Sequence, residues 1–151
     1  MEYLRVPTRN GDKYRVMVVD DEQDITQIIR KALESGGFLV DTFNDPQVAL
    51  RQFRPNYYDI ILLDIRMPKI NGFDLYREMK KKDYAVKVCF FTAFEIYYDE
   101  FRRMFPSLRV SCFVKKPVRL SELVKIIREE LNFNEERNFT GHKEVNDKDY
   151  S

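Results

Sequence analysis

Apolar residues follow two alternating rhythms along this chain. Tyr14–Val19, Phe38–Phe43, Asp59–Leu63, Val86–Phe91 and Val110–Val114 are short, largely apolar runs of strand length. Between and after them, apolar residues return at helical spacing. Ile25, Ile28, Ile29, Ala32 and Leu33 form the first such stripe, and Leu120, Leu123, Val124, Ile127 and Leu131 form the last. Ser35-Gly36-Gly37 closes the first helix, because glycine ends a helix without steric cost. Asp45-Pro46 opens the second, with a capping side chain and then a residue whose φ already suits a helix. Ile60-Ile61-Leu62-Leu63 shows no polar alternation, as a central parallel strand buried on both faces requires. A Pro68–Gly72 loop leads into a third helix from about Phe73 to Lys81, and the aromatic-rich Glu95–Phe105 reads as the fourth. The alternation predicts an α/β fold: a doubly wound parallel sheet with helices on both faces and right-handed crossovers. The active crevice of such a sheet lies at the carboxyl ends of its strands.

Composition narrows the class. A chain of 151 residues, 44% hydrophobic and 34% charged, suits one well-buried domain rather than a disordered or membrane-embedded protein. The globular unit is expected over 14–131, after an N-terminal extension, 1–13, and before a polar, flexible tail, 132–151. A net charge of +1 supplies no global field for nucleic acid or anionic lipid, so neither direct nucleic-acid binding nor membrane association is expected. The apolar runs fall far short of the roughly 20 residues that span a bilayer. Met1–Lys13 has no signal-peptide core, which makes a cytoplasmic location the default. Cys89 and Cys112 sit inside strand-like runs and read as small buried hydrophobes, a disulfide being disfavoured in a reducing compartment. With no CxxC and a single histidine, His142, a zinc site is excluded.

The residues at the strand ends carry the chemistry. Asp20 and Asp21 follow the first strand, Asp64 the third, Thr92 the fourth and Lys116 the fifth. One aspartate after a strand is an ordinary cap or turn former; the ordered set of all of them is not. Carboxylates converging at one sheet edge repel each other, and a hard divalent cation, Mg²⁺ with Mn²⁺ as an alternative, relieves that repulsion through oxygen ligands. An aspartate can then act as a nucleophile toward phosphorus. A lysine neutralises phosphoryl oxygens as a compact charge, and a threonine hydroxyl bonds one of them.

Val18-Val19-Asp20-Asp21-Glu22, Leu63-Asp64-Ile65-Arg66-Met67-Pro68 with Gly72, Phe91-Thr92-Ala93 and Phe113-Val114-Lys115-Lys116-Pro117 resemble the motifs of the response-regulator receiver family of two-component signalling. The resemblance covers about Tyr14 to Leu131. It implies a flavodoxin-like (βα)5 fold with strand order 2-1-3-4-5. It also implies a phosphoacceptor at Asp64, charged by a histidine kinase or phosphotransfer protein. Asp20, Asp21, Asp64 and the backbone carbonyl of Arg66 would hold Mg²⁺, Lys116 would bind phosphate, and Thr92 with Phe113 would form the switch pair. The Lys116–Pro117 bond is expected to be cis. Such a protein is a phosphoacceptor rather than an enzyme, although it promotes its own phosphorylation and dephosphorylation. Its output is the surface of the fourth helix, fifth strand and fifth helix, offered to a downstream protein partner, with homodimerisation left open.

Two positions depart from the common pattern. Arg66 is long and cationic, and Phe94 is bulky and apolar; both are expected to restrict the hydrolytic water and prolong the phosphorylated state. Phe113 lacks the hydroxyl of the tyrosine often found there. On the fourth helix Phe94, Tyr97, Phe101, Met104, Phe105 and Leu108 share a core-facing stripe, which leaves Ile96 and Tyr98 as a partner face. No helix-turn-helix fits after Leu131, so a stand-alone receiver is expected. The competing reading is an interaction module that keeps the fold and works without phosphate. A haloacid dehalogenase-like hydrolase would need Asp-x-Asp after the first strand. A flavin site would need phosphate donors where this chain is acidic.

Overall fold

The computed structural model describes residues 8–9, 11–93, 97–104, 106 and 112–140, with the side chains of 8, 9, 97, 98, 101, 104 and 133–140 outside the description. Strands β1 (Thr8–Arg9) and β2 (Asp12–Lys13) pair antiparallel as a short hairpin within the N-terminal extension. The main body then alternates β3 (Arg15–Val19), α1 (Gln23–Ser35), β4 (Leu39–Phe43), α2 (Pro46–Gln52), β5 (Ile60–Leu63), α3 (Gly72–Lys82), β6 (Lys87–Thr92), α4 (Tyr97–Met104), β7 (Cys112–Lys115) and α5 (Leu120–Thr140). The five-stranded sheet has the order β4-β3-β5-β6-β7 and every pairing in it is parallel. That is the expected 2-1-3-4-5 arrangement of the five predicted strands.

Alternation along the central strands builds two cores. Val16 and Val18 on β3, with Ile60 and Leu62 on β5, join Ile29 and Leu33 of α1 and Leu123, Ile127 and Leu131 of α5. Met17, Val19, Ile61 and Leu63 face the other way and join Ala49 of α2 with Leu75, Tyr76 and Met79 of α3. Successive side chains of a strand point to opposite faces, so a central strand must be apolar at every position to serve both layers. Each residue of β5 is buried. Phe90 anchors the second core: its ring lies 5.1 Å from Phe73, 5.7 Å from Tyr76 and 5.1 Å from Phe113.

The helix ends follow the predicted chemistry. Gly37 takes φ +92° just past α1, and the Phe38 amide donates back to the Leu33 carbonyl, closing the helix with its last carbonyls satisfied. The Asp45 carboxylate accepts from the Gln47 amide at the start of α2. Lys116–Pro117 is cis.

Several expectations are corrected. Ile28 and Leu120 belong to the predicted stripes but stay exposed, Ile28 at 47% because it points well away from the buried Thr26, Ile29 and Leu33, and Leu120 at 39% because it is the first residue of α5. Thr26 takes a place in the α1 stripe instead, fully buried and hydrogen-bonded to the Gln23 carbonyl. The last helix does not stop where its apolar period stops: α5 continues to Thr140, into the segment expected to be tail. Cys89 and Cys112 are buried as expected but joined as a disulfide, because the β6–β7 register makes them Cα partners. Of the aromatic stripe read on the fourth helix, Phe94, Phe105 and Leu108 lie outside the described residues, as do the side chains of Tyr97, Phe101 and Met104. Among the described residues, no helix is long and apolar enough to cross a membrane.

Gly72 shows how closely the loop after β5 is folded back on its strand. Its amide donates to the Ile65 carbonyl at 2.7 Å, and a Cβ at this position would lie 2.2 Å from the Asp64 carbonyl oxygen and 2.8 Å from the Ile65 Cα. Backbone atoms cannot swing aside as side-chain ends can. Gly72→Ala is therefore expected to cost roughly 1–3 kcal/mol in denaturant unfolding. A variant as stable as the parent would show that the loop relaxes freely.

Candidate functional site

The carboxyl edge of the sheet collects the predicted residues because the parallel register aligns the strand ends. Val19 pairs with Leu63, and Leu63 with Phe90. The Asp64 amide donates to the Val19 carbonyl and the Asp20 amide to the Phe43 carbonyl, which carries the ladder one residue beyond each strand. Asp20, Asp21 and Asp64 thereby each bring a carboxylate oxygen within 4.8 Å of the others. Asp20 is 1% exposed and Asp64 6%, whereas Asp21 is open to solvent. On the far side of β5, Thr92 ends β6 and is buried, and its carbonyl accepts from the Lys116 amide at 2.8 Å.

Lys116 bridges the two buried acids. Its Nζ lies 2.6 Å from Asp20 Oδ2 and 3.9 Å from Asp64 Oδ1, with the same ammonium 4.8 Å from the centre of the Phe91 ring. Lys115 is exposed, so Lys116 is the lysine that the strand alternation turns into the pocket. The balance of charge in the pocket is still unfavourable. Burial and the neighbouring Asp20 carboxylate push the Asp64 carboxyl up to about 7 from 3.8, against the pull of Lys116. A donor set of three aspartates, two of them desolvated, fits a hard divalent cation of the Mg²⁺ type. Such an ion supplies the positive charge that one lysine leaves lacking.

The remaining predicted residues fall into place unevenly. Phe113 is half-buried and packs its ring against Phe90 in the α2–α3 core. Arg66 is exposed and lines an open groove of about 550 Å³ together with Met67, Pro68 and Glu100. Lys69, in the same loop, adopts φ +73° between a Pro68 carbonyl and an Ile70 amide that bond each other at 2.9 Å, a tight and strained turn. Phe94 and Ile96 lie outside the described residues, as does the side chain of Tyr98.

One contributor was passed over in the sequence. Asn44 follows β4, the second of the five parallel strands, and its Nδ2 donates to the Asp20 carbonyl at 2.9 Å and to Thr26 Oγ1 at 3.0 Å. It fixes the backbone of the residue whose carboxylate meets Lys116, while Asp20 Oδ1 accepts from the Glu22 amide. Position at a strand end is its signal in the sequence, because a neutral amide there suggests neither metal nor phosphate chemistry by itself.

Comparison with known proteins agrees with this geometry. The family model of the response regulator receiver domain matches residues 16–128, and the chain belongs to that family. Response regulator SaeR of Staphylococcus aureus (strain USA300) is 35% identical over 109 residues, covering 72% of this chain and 46% of SaeR. Transcriptional regulatory protein TrcR of Mycobacterium tuberculosis is 29% identical over 124 residues, covering 82% of this chain and 48% of TrcR. The chain thus spans about half the length of these curated relatives. A receiver domain protein of Clostridium thermocellum superposes with a TM-score of 0.71 at 29% identity, covering 81% of this chain and 97% of that one. A CheY-like receiver protein of Methanospirillum hungatei JF-1 has a TM-score of 0.75 at 22% identity, covering 83% and 99%, and shares the fold. Residues 16–128 form a receiver domain of the response-regulator kind. Nothing in the pocket favours the phosphate-independent alternative, since its acids, threonine and lysine are all present.

The raised Asp64 carboxyl has a measurable consequence. The unfolded side chain releases its proton near 3.8 and the folded one near 7, so the penalty is absent below the first value and complete above the second. In chelator, stability is expected to fall as pH rises through that window. Asp64→Asn should remove this part of the slope and stabilise the metal-free protein above neutral pH by roughly 1–3 kcal/mol. Urea unfolding at several pH values checks it; a variant with the parent's slope would mean that Lys116 already neutralises the pair.

Proposed function

We infer that Asp64 is the phosphoacceptor of this chain. The observation that carries this reading is the convergence of three carboxylates, two of them buried, with the Lys116 ammonium between the buried two. A carboxylate oxygen of Asp64 attacks the phosphorus of a phosphohistidine on a histidine kinase or phosphotransfer protein. The new O–P bond forms as the P–N bond breaks, and the imidazole leaves with its electron pair and takes up a proton. Lys116 holds one phosphoryl oxygen through charge, and the Thr92 hydroxyl donates to another. Asp20, Asp21, Asp64 and the Arg66 backbone carbonyl form the set that would hold Mg²⁺. Bound there, the ion neutralises charge on the attacking and transferred groups.

The readout runs through β6 and β7. A phosphoryl group adds about −1.5 to −2 charges beside Asp64 and draws Thr92 toward it. Phe113 follows by packing more deeply against Phe90, and the α4–β7–α5 surface changes for a downstream protein partner. Arg66, at the groove beside the pocket, limits access of the hydrolytic water and lengthens the lifetime of the acyl phosphate.

Labelling with a small-molecule phosphodonor tests the central assignment. With Mg²⁺, the parent should label and Asp64→Asn should not; Thr92→Ala and Lys116→Ala should label more slowly by roughly 10- to 100-fold, as expected for loss of a positioned charge or donor. Equal labelling of parent and Asp64→Asn would move the acceptor elsewhere.

A further inference from the structure

Cys89 and Cys112 are Cα partners in the β6–β7 register, 4.5 Å apart, and their sulfurs are bonded. Their position matters more than their chemistry. The bond spans a sequence separation of 23 and encloses the whole excursion between the two strands, α4 included. Immediately beyond it lie Phe90 on β6 and Phe113 on β7, with Thr92 at the end of β6 and Lys116 just past the end of β7. One covalent link therefore stands at the root of the segment that carries half the candidate pocket and the Phe90–Phe113 contact. Both cysteines are buried, yet β7 is an edge strand held in the sheet by β6 alone. Local opening of an edge strand costs less than global unfolding and would be the route to the sulfurs.

We propose that Cys89–Cys112 is a reversible dithiol–disulfide site that sets how far the β6–α4–β7 segment follows occupancy of the aspartate pocket, which rests on Asp64 being the phosphoacceptor. A thiolate of a dithiol reductant attacks one sulfur, the S–S bond breaks, and the other cysteine leaves as a thiolate that takes up a proton. The second thiol of the reductant then resolves the mixed disulfide, freeing the remaining cysteine and departing as its own disulfide. Two electrons pass from reductant to protein, and a disulfide oxidant reverses the sequence. The closed bond removes configurations from the loop it encloses. The open pair lets Thr92 and Phe113 shift at less cost, so the reduced form responds more readily to a phosphoryl group.

The chain has two cysteines, so a thiol titration reads this bond alone. Full-length protein poised with oxidised glutathione or with dithiothreitol is labelled by acetyl phosphate and Mg²⁺. The reduced form is expected to label severalfold faster, and a Cys89→Ala/Cys112→Ala variant to keep the faster rate in both buffers. Equal rates for the two forms of the native protein would overturn the proposal, as would a thiol count that does not differ between the buffers. If the variant does not fold, the comparison of native forms decides alone. Absence of labelling in both forms would count against Asp64, and hydrogen exchange across 97–104 would then decide the redox inference. Faster exchange on reduction supports it, and equal exchange ends it.

Discussion

Lys116 stands 2.6 Å from Asp20 and 3.9 Å from Asp64 at a sheet edge from which water is largely excluded, and the arrangement of the pocket depends on that bridge. Burying two carboxylates side by side costs more than one ammonium returns, because each ion loses hydration while only one attraction spans the pair. The deficit appears in Asp64, which holds its proton far above the ordinary carboxylate range. That unfavourable density of negative charge has its counterpart in the donor set, which suits a hard divalent cation. The folded chain is under tension at the place where it works.

What brings these groups together is the parallel sheet. Its register aligns the ends of β3, β5 and β6, and each loop then adds its own constraint. Asn44 ties the Asp20 backbone to the loop after β4, and Gly72 lets the loop after β5 press against the Asp64 carbonyl. The Lys116 amide fastens the end of β7 to the Thr92 carbonyl. Behind the pocket, Phe90 touches Phe73, Tyr76 and Phe113 at once, which joins β6 and β7 to the α3 layer. The Cys89–Cys112 link lies one position behind that aromatic contact on each strand.

Much of this was legible in the chain. Unbroken apolar runs gave the buried parallel strands, and Gly36-Gly37 and Asp45-Pro46 marked helix ends that the hydrogen bonds bear out. The ordered Asp20-Asp21, Asp64, Thr92 and Lys116-Pro117 at the strand ends pointed to phosphoryl chemistry because local pattern and charge suffice to predict them. Less legible were Ile28, whose exposure depends on how α1 is rotated against the sheet, and Leu120, which the start of α5 leaves uncovered. The continuation of α5 to Thr140 was also hidden, since a helix can outlast the apolar stripe that docks it.

The sequence by itself determined the strand–helix alternation, the strand-end chemistry and the family, because these follow from periodicity and residue type over short windows. Tertiary structure alone decided which acid meets the lysine, that Asn44 serves Asp20, how close Gly72 comes to Asp64, and that Cys89 faces Cys112. The Gly72 approach is fixed by how one loop folds back on its own strand, and the others are relations between residues distant in the chain, fixed by sheet order and register. A one-residue change of register would have altered those others while leaving the local pattern intact.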